Sequence, residues 1–215
     1  MPLTPEAFAT ETGVSRETID RLKSYSNLIA KWQRAINLIS ARDLADLWRR
    51  HMLDSAQLVE HMPSPPVGRE RVIADLGSGA GFPGMVLAIL GAGQVHLIES
   101  DQRKCAFLLE AARLTGSRVV IHDCRIEEFP KKNPKFKADV VVARGLAPLL
   151  RLLEYAARIL APDGVCLFLK GDNLSKELTQ AGKEWNMRAD QLPSRTSRSG
   201  IILRLGDLAR GRAKS

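Results

Sequence analysis

The sequence predicts an α/β fold in which a mostly parallel sheet ends in an antiparallel hairpin, preceded by an N-terminal helical cap. Three observations support this fold class. The first sixty residues have helical periodicity, and strand-like and helix-like segments alternate after residue 68. The last two strand-like segments are joined by a short Ser/Arg-rich loop with no helix between them. We therefore expect these two strands to run antiparallel.

The N-terminal region predicts two helices. Ser15 is a good N-cap for the first, in which apolar residues fall near one seam: Ile19, Leu22, Leu28, Ile29, Trp32 and Ile36. The second is predicted to begin at Asp43 and to carry Leu44, Leu47, Trp48, Met52, Ser55 and Val59 on one side. Pro63–Gly68 then breaks the pattern. We predict a helical cap at 1–62, a main domain at 69–207 and a basic tail at 208–215.

The main domain alternates strands with helices, which predicts a parallel sheet covered on both faces. The predicted strands are Arg71–Leu76, Gln94–Ile98, Arg118–His122, Ala138–Ala143 and Val165–Lys170. The predicted helices begin at Pro83 or cover Asp101–Leu114 and Pro148–Leu160. The terminal hairpin is predicted to pair Trp185–Leu192 with Ile201–Leu205. Such a parallel sheet, finished by an antiparallel hairpin, is the layout expected of class I methyltransferases.

Composition and charge restrict the possible functions. The net charge is +8, and residues 176–215 contribute +5 of it with nine basic and four acidic side chains. This end suits a polyanion such as nucleic acid, although a solvated tail would have the same composition. The three cysteines include no Cys-x-x-Cys pair, which argues against a zinc site or a disulfide framework. We expect a monomeric cytoplasmic protein with no metal, no secretory signal and no membrane segment.

The most informative motif is the glycine-rich loop of residues 74–84, which lies between a predicted strand and a predicted helix. Gly77, Gly79 and Gly81 follow the spacing G-x-G-x-G, and Phe82 takes the place of the last glycine of the dinucleotide-binding motif. Glycines let the backbone turn sharply and approach a ligand closely. The loop therefore predicts a nucleoside-type cofactor that needs close backbone approach more than a pyrophosphate site.

Two further segments follow predicted strands. Glu99 ends the second strand, where a carboxylate can accept hydrogen bonds from both ribose hydroxyls of a nicotinamide or an adenosyl ligand. Residues 122–129 follow the third strand and are predicted to lie beside the adenine, because open α/β sheets bind ligands beyond the carboxyl ends of their strands.

At these motifs the chain resembles the RsmG methyltransferases of bacterial ribosomal RNA, also called glucose-inhibited division protein B. The resemblance covers nearly the whole chain, on Asn37–Asp43, Arg50–Ser55, Gly77–Gly84, Arg125–Phe129, Ala143–Ala147 and Leu169–Gly171. It implies transfer of a methyl group from S-adenosylmethionine to guanine N7 of 16S rRNA, near the decoding centre of the small ribosomal subunit. Carried over by motif, the cofactor contacts are Gly77, Phe82, Ile126, Glu127 and Arg144. The substrate side is Asn37, His51, Arg125, Arg144 and Arg198.

The predicted catalytic residues are Arg144, His51 and Asn37. His51 and Asp54 lie three residues apart on one helix face, so together they are a plausible general base. Guanine N7 carries no proton, however, and needs no base to expose its lone pair. We therefore favour a packing or RNA-positioning role for His51, with Asp54 orienting it. Arg144 is predicted to hold guanine O6 or the cofactor carboxylate.

Two other functions remain open from the sequence. One is an NAD-linked Rossmann oxidoreductase, which the glycine spacing and the terminal hairpin disfavour. The other is a non-catalytic RNA-binding protein that retains the fold. Calorimetry with each cofactor separates the first from a methyltransferase, and a methyl-transfer assay separates the second.

Overall fold

The computed structural model describes residues 2–211 and confirms the predicted α/β architecture. Its seven-stranded sheet has the order β3-β2-β1-β4-β5-β7-β6. The strands are β1 Val72–Leu76, β2 Gln94–Glu99, β3 Val119–Asp123, β4 Ala138–Arg144, β5 Leu160–Lys170, β6 Trp185–Pro193 and β7 Ile201–Arg210. Strands β1 to β5 are parallel, and β7 pairs antiparallel with both β5 and β6.

Helices cover both faces of the sheet. They are α1 Pro5–Thr12, α2 Arg16–Trp32, α3 Ala41–Ala45, α4 Asp54–Ala56, α5 Gly84–Ile89, α6 Gln102–Thr115, α7 Phe129–Lys132, α8 Leu149–Ile159 and α9 Leu174–Ala181. A π-helical turn, Trp48–Leu53, precedes α4, and a 3₁₀ turn, Gln57–His61, follows it. The sequence analysis missed the short helices α1, α7 and α9.

Local capping explains where the long helices begin. The Ser15 hydroxyl accepts a hydrogen bond from the Thr18 amide at 3.2 Å, which confirms the predicted N-cap of α2. The Asp101 carboxylate caps α6 in the same way, through the Arg103 amide at 2.9 Å. Gly116 ends α6 in the left-handed conformation that favours glycine.

The prediction of the second helix of the cap is wrong in where the helix begins and in treating it as one regular α-helix. Ser40, not Asp43, is the N-cap, and its hydroxyl accepts from the Asp43 amide at 3.1 Å. The segment then passes through the π turn and the 3₁₀ turn, so one periodicity does not describe it. Val59 consequently faces solvent, against the prediction. The first helix ends at Trp32, so Ile36 lies beyond it.

The two faces of the sheet bury separate apolar clusters. One contains Tyr25 and Leu28 of α2 together with Met85, Phe107 and Val140, so the N-terminal helices pack into the same core as one sheet face. The other contains residues such as Phe129, Leu153 and Phe168. The division into a cap at 1–62 and a main domain at 69–207 stays a prediction.

The predicted tail begins too early. Strand β7 continues to Arg210 and pairs with β6 at Trp185, so residues 208–210 belong to the sheet. The sequence predicted this strand from its run of apolar residues, which ends at Leu205. Pairing with β6 continues its backbone hydrogen bonds beyond that point. The rest of the predicted tail, residues 212–215, lies outside the described residues.

Candidate active site

A cavity of about 340 Å³ lies at the carboxyl ends of β1, β2 and β4. Its volume is within the range of small-ligand sites. We name it the cofactor cavity. Seven of the predicted site residues line it, namely Gly77, Gly79, Glu99, Arg125, Ile126, Glu127 and Arg144. The fold thus brings the glycine loop, the end of β2 and the segment after β3 to one place, as expected for a parallel sheet.

Glu99 and the glycine loop are held together by hydrogen bonds. The Glu99 Oε2 atom accepts from the Gly79 amide at 2.8 Å, while Oε1 accepts from the Ser100 and Asp101 amides at 2.7 and 2.8 Å. A carboxylate has about four acceptor positions, so roughly one remains for a ligand. The sequence predicts that Glu99 binds both ribose hydroxyls. For this, one of its three hydrogen bonds from backbone amides has to be replaced by a hydrogen bond from the ribose.

Gly79 and Gly77 shape the floor of the cofactor cavity. A Cβ atom at Gly79 would meet only the Gly77 carbonyl oxygen, at 3.8 Å, so this position opens into free space. A Cβ at Gly77 would lie 2.6 Å from Leu146 Cδ1, and Leu146 also lines the cavity. Both glycines have positive φ, which a residue with a side chain rarely adopts.

Gly81 and Phe82, which the sequence also assigns to the cofactor, do not line this cavity. Phe82 is buried against Tyr25 of α2, with ring centroids 5.6 Å apart. A Cβ at Gly81 would lie 2.6 Å from the Tyr25 hydroxyl and 2.7 Å from Met85 Cβ. These two residues thus pack the loop against the N-terminal helices.

This packing predicts that Gly81→Ala destabilises the fold by about 2–4 kcal/mol, because overpacking adds to the strain of a positive φ. Gly13→Ala is the matched control. Gly13 has a φ of +66°, and apart from its chain neighbours no atom of the described residues lies within 4 Å of its Cβ position, so only the backbone strain of about 1 kcal/mol applies. Urea denaturation measures both variants. Equal losses of unfolding free energy would show that the contact with Tyr25 has no steric consequence.

Asp75, near the end of β1, is a carboxylate to which the sequence analysis assigned no role. It is fully buried, and its Oδ2 atom accepts from the Gly84 amide at 3.0 Å, where α5 begins. Burial raises the pKa of Asp75 to about 7, and the charge of Glu99 adds to this. Asp75 therefore fixes the helix that follows the glycine loop. A sequence signal for this role was available: no Ser, Thr, Asp or Asn stands directly before α5 to cap it, so the cap has to come from elsewhere in the chain.

Glu127 forms part of the wall after β3. Its Oε1 atom accepts from the Tyr155 hydroxyl at 2.7 Å and from Arg151 Nη2 at 3.3 Å. The Tyr155 hydrogen bond is the main reason that the pKa of Glu127 lies below its ordinary value. Tyr155 of α8 lines the cofactor cavity as well, so α8 contributes to a site that the sequence analysis assigned to the glycine loop, to strand ends and to the segment after the third strand.

A second cavity, of about 260 Å³, lies beside the cofactor cavity, and we name it the acceptor cavity. Arg144 and Gly145 line both cavities, so the end of β4 forms their common wall. Arg50, Lys170 and the loop between β6 and β7 complete the acceptor cavity. Arg50, Arg144 and Lys170 are each paired with a carboxylate. Their several N–H donors nevertheless suit a ligand with hydrogen-bond-accepting groups.

Arg144 is held by the N-terminal helices. Its Nη1 atom lies 3.1 Å from Asp54 Oδ2 and also donates to the Arg50 carbonyl oxygen. The Arg144 side chain is largely buried, and this burial lowers its pKa, although Asp54 and Asp43 act in the opposite direction. The side chain is therefore fixed at the wall between the two cavities.

Asp54 joins three elements, and it does not orient His51 as predicted. Besides Arg144, it accepts at Oδ1 from Gln57 Nε2 at 2.8 Å and from the Thr196 hydroxyl at 2.6 Å. Gln57 in turn accepts from the Arg195 amide at 2.9 Å. The β6–β7 loop is thus fastened to the N-terminal helices. Asp54 directly follows the π-helical turn, and its pair with Arg144 was not indicated by sequence spacing.

His51 is buried, with 6% of its surface exposed, and its ring lies 4.4 Å from that of Phe82. Neither ring nitrogen has a hydrogen-bond partner among residues 2–211, and the nearest carboxylate, Asp43, is 3.9 Å from Nε2. Burial lowers the pKa of His51 to about 3, and the charge of Arg144 contributes to this. His51 is therefore a neutral packing residue, and it lines neither cavity.

Asn37 and Arg198, predicted at the substrate side, are both exposed. Asn37 lies between α2 and α3 and accepts at Oδ1 from Gln33 Nε2 at 3.2 Å, outside the linings of both cavities. Arg198 belongs to the β6–β7 loop, and its neighbours Ser197 and Ser199 line the acceptor cavity. Arg198 is thus at the rim of this cavity, whereas Asn37 is not brought to it.

Comparison with known proteins identifies the family. The model of the family described as rRNA small subunit methyltransferase G, or GidB, matches residues 18–199. The chain belongs to this family. A family member from Rhodospirillum rubrum is 51% identical over 208 residues, which cover 97% of this chain and 100% of the relative. One from Paramagnetospirillum magneticum is 52% identical over 210 residues, 98% of each chain.

Solved structures agree in fold. A SAM-dependent methyltransferase from Aquifex aeolicus is similar with a TM-score of 0.56 at 16% identity, covering 76% of this chain and 95% of the other. A ribosomal protein L11 methylase from Lactobacillus delbrueckii subsp. bulgaricus has a TM-score of 0.54 at 23% identity, covering 74% and 77%. The fold is thus that of class I methyltransferases. Within residues 2–211, no helix has the length and apolar character needed to span a membrane.

Proposed function

We propose that the protein transfers a methyl group from S-adenosylmethionine to N7 of a guanine in 16S rRNA, near the decoding centre of the small ribosomal subunit. The observation that carries this proposal is the common wall of the two cavities at Arg144 and Gly145. A donor in one cavity and a base in the other would meet there. Membership of a family described as rRNA small subunit methyltransferases supports the RNA substrate.

The cofactor cavity fits S-adenosylmethionine by the chemistry of its lining. Gly79 leaves open space for close backbone approach, Ile126 offers an apolar surface for adenine, and Glu99 lies at the strand end where a ribose would bind. These residues would hold the cofactor. When bound, S-adenosylmethionine supplies an electrophilic sulfonium methyl group.

The chain's own residues would bind and orient the base. Arg144 presents a planar guanidinium, which suits hydrogen bonding to guanine O6. Asp54 and the Arg50 carbonyl fix its position before the RNA arrives, and preorganisation of this kind favours in-line attack. No described residue needs to remove a proton, since guanine N7 carries none. His51, neutral and buried beside Phe82, supports the loop without taking part in the chemistry.

Labelled S-adenosylmethionine with unmodified 16S rRNA tests the proposal. We expect label in the RNA and, after digestion, 7-methylguanosine as the modified nucleoside. The assay should compare naked 16S rRNA with assembled small subunits. Calorimetry with NAD in place of S-adenosylmethionine serves as the control for the oxidoreductase alternative. Label in another nucleoside would contradict the N7 assignment, and cofactor binding without transfer to either RNA form would favour a non-catalytic RNA-binding protein.

A further inference from the structure

A basic cavity of about 650 Å³ lies at the opposite edge of the sheet, where β1, β2 and β3 begin. We name it the amino-edge cavity. Four arginines and one glutamate line it, namely Arg21, Arg69, Arg71, Arg118 and Glu70. It is nearly twice as large as the cofactor cavity and shares no residue with it. The proposed methyl transfer therefore gives no reason for its charge.

The arginines of the amino-edge cavity are only partly neutralised. Arg69 forms a bidentate ion pair with Asp139, with both N–O distances at 2.7 Å. Nη2 of the exposed Arg118 lies 2.6 Å from Glu70 Oε1. Four guanidinium groups against these two carboxylates leave a net charge of +2. Arg21 donates to neutral acceptors, the Thr115 carbonyl at 2.6 Å and the Ser117 hydroxyl at 3.0 Å. A cation without a carboxylate partner is free to attract an anion.

Arg71 is the second cation without a carboxylate in direct contact. Only 8% of its surface is exposed, and its guanidinium donates to the carbonyl oxygens of Ala92, at 2.7 Å, and Pro63. Its Nε atom has no hydrogen-bond partner within the described part of the chain. A buried charge is costly when its counter-ion is paired elsewhere. Burial lowers the pKa of Arg71, and the charge of Asp139, which is paired with Arg69, acts in the opposite direction. An anion in the cavity would reduce this cost.

The backbone around the cavity leaves room for a ligand. Gly91 and Gly116 line the cavity with positive φ, and among residues 2–211, chain neighbours apart, no atom lies within 4 Å of their Cβ positions. The planar guanidinium group of arginine donates several hydrogen bonds at once, and the oxygens of a phosphate group can accept them. The protein's net charge of +8 favours a polyanion as the source of that phosphate.

We propose that the amino-edge cavity binds a phosphate group of the RNA backbone. The protein then contacts its RNA at two places, one at each edge of the sheet. The identity of that RNA as 16S rRNA rests on the proposed function. Phosphate contacts position a protein on nucleic acid without reading its sequence, so this second contact would fix the orientation of the enzyme on a large substrate.

The first experiment compares two double variants with equal loss of charge. Arg21→Gln with Arg118→Gln removes two of the four arginines from the cavity, the unpaired Arg21 and the exposed Arg118, and leaves the buried Arg71 in place. Glutamine at position 21 keeps a donor for the Thr115 carbonyl. Arg158→Gln with Lys176→Gln is the control, because both residues are exposed on α8 and α9 and line neither this cavity nor those of the active site. Binding of unmodified 16S rRNA is measured against salt concentration.

We expect the cavity variant to bind this RNA about tenfold more weakly at low salt, with a log–log salt slope smaller by about 0.7–0.9 for each lost contact. The control should stay within about twofold of the wild type. Equal behaviour of the two variants, or a wild type that does not bind 16S rRNA, would overturn the proposal.

A second measurement needs no variant. Amide resonances of Gly91, Gly93, Gly116 and Ser117 are followed by NMR while a single-stranded hexauridylate is added, and inorganic pyrophosphate is titrated separately. Shifts with the RNA support the proposal. Shifts with pyrophosphate alone would overturn it and indicate a free phosphate ligand. Methyl transfer is assayed in parallel, so that normal RNA binding without transfer would contradict the proposed function but leave the second contact standing.

Discussion

Replacement of Gly79 by valine should abolish binding of S-adenosylmethionine. Gly79 has a φ of +57°, and the position of its missing side chain opens into the cofactor cavity. A branched side chain would occupy the space that the methionine part of the cofactor needs, and it would strain the loop that donates an amide to Glu99. Calorimetric titration of the purified variant measures the loss.

Gly91→Val is the matched control for this substitution. Gly91 has a φ of +71° and open space around it, but it lies at the amino edge of the sheet. It should have the same backbone strain and retain cofactor affinity. Unchanged affinity in Gly79→Val, or equal losses in both variants, would contradict a cofactor role for Gly79.

Glu99→Ala belongs to the same experiment. It removes the acceptor of three amide hydrogen bonds and should weaken cofactor binding by about 1–3 kcal/mol, the scale of a lost hydrogen bond to a charged group. Glu99→Gln, which keeps one carbonyl acceptor, should lose less. If the alanine variant loses stability but no affinity, Glu99 organises the loop and does not hold the ribose.

Local signals in the sequence were sufficient to predict the fold class. The N-caps Ser15 and Asp101, the glycine turn after β1 and the alternation of strand and helix each depend on neighbours a few residues away. The position of the cofactor cavity could be predicted as well, because parallel strands bring their carboxyl ends to one edge of the sheet. Gly77, Gly79 and Glu99 therefore line one cavity although β1 and β2 are separated by a helix.

The site's long-range contacts were beyond the reach of these signals. Asp54 pairs with Arg144 and Thr196, which are far from it along the chain, and the π-helical turn before it leaves no clear periodicity. Gly81 has the same local pattern as Gly79, yet it packs against Tyr25. Only the tertiary fold distinguishes a glycine that opens into a cavity from one that packs against a neighbouring helix.

Arg144 should matter for the chemical step itself. We expect Arg144→Ala to lower the single-turnover rate about a hundredfold or more at saturating RNA, because a small misplacement of the acceptor has a cost of this size. Arg144→Lys should recover only part of the rate, since an ammonium group lacks the planar fork. Rapid-quench measurement of methyl transfer separates this effect from a loss of RNA affinity.

The pair with Asp54 requires its own control, because removing Arg144 leaves the Asp54 carboxylate without a cation at 3.1 Å. The double variant Arg144→Ala with Asp54→Asn relieves that charge. If Arg144 orients the base, the double variant should remain as slow as Arg144→Ala. Recovery of the rate would show instead that Arg144 acts only by neutralising Asp54.

The pH profile of the same reaction should not depend on His51. Burial lowers the pKa of His51 to about 3, so its ring is neutral throughout the working range and too weak a base to assist proton transfer. His51→Phe keeps a ring beside Phe82 and should leave the shape of the profile unchanged, with a loss of less than about tenfold at saturating RNA. A limb near neutral pH that survives in His51→Phe but disappears in Asp75→Asn would belong to Asp75, whose pKa burial raises to about 7. A limb that disappears in His51→Phe, together with most of the rate, would make His51 a general base, and the reaction would then need an acceptor other than guanine N7.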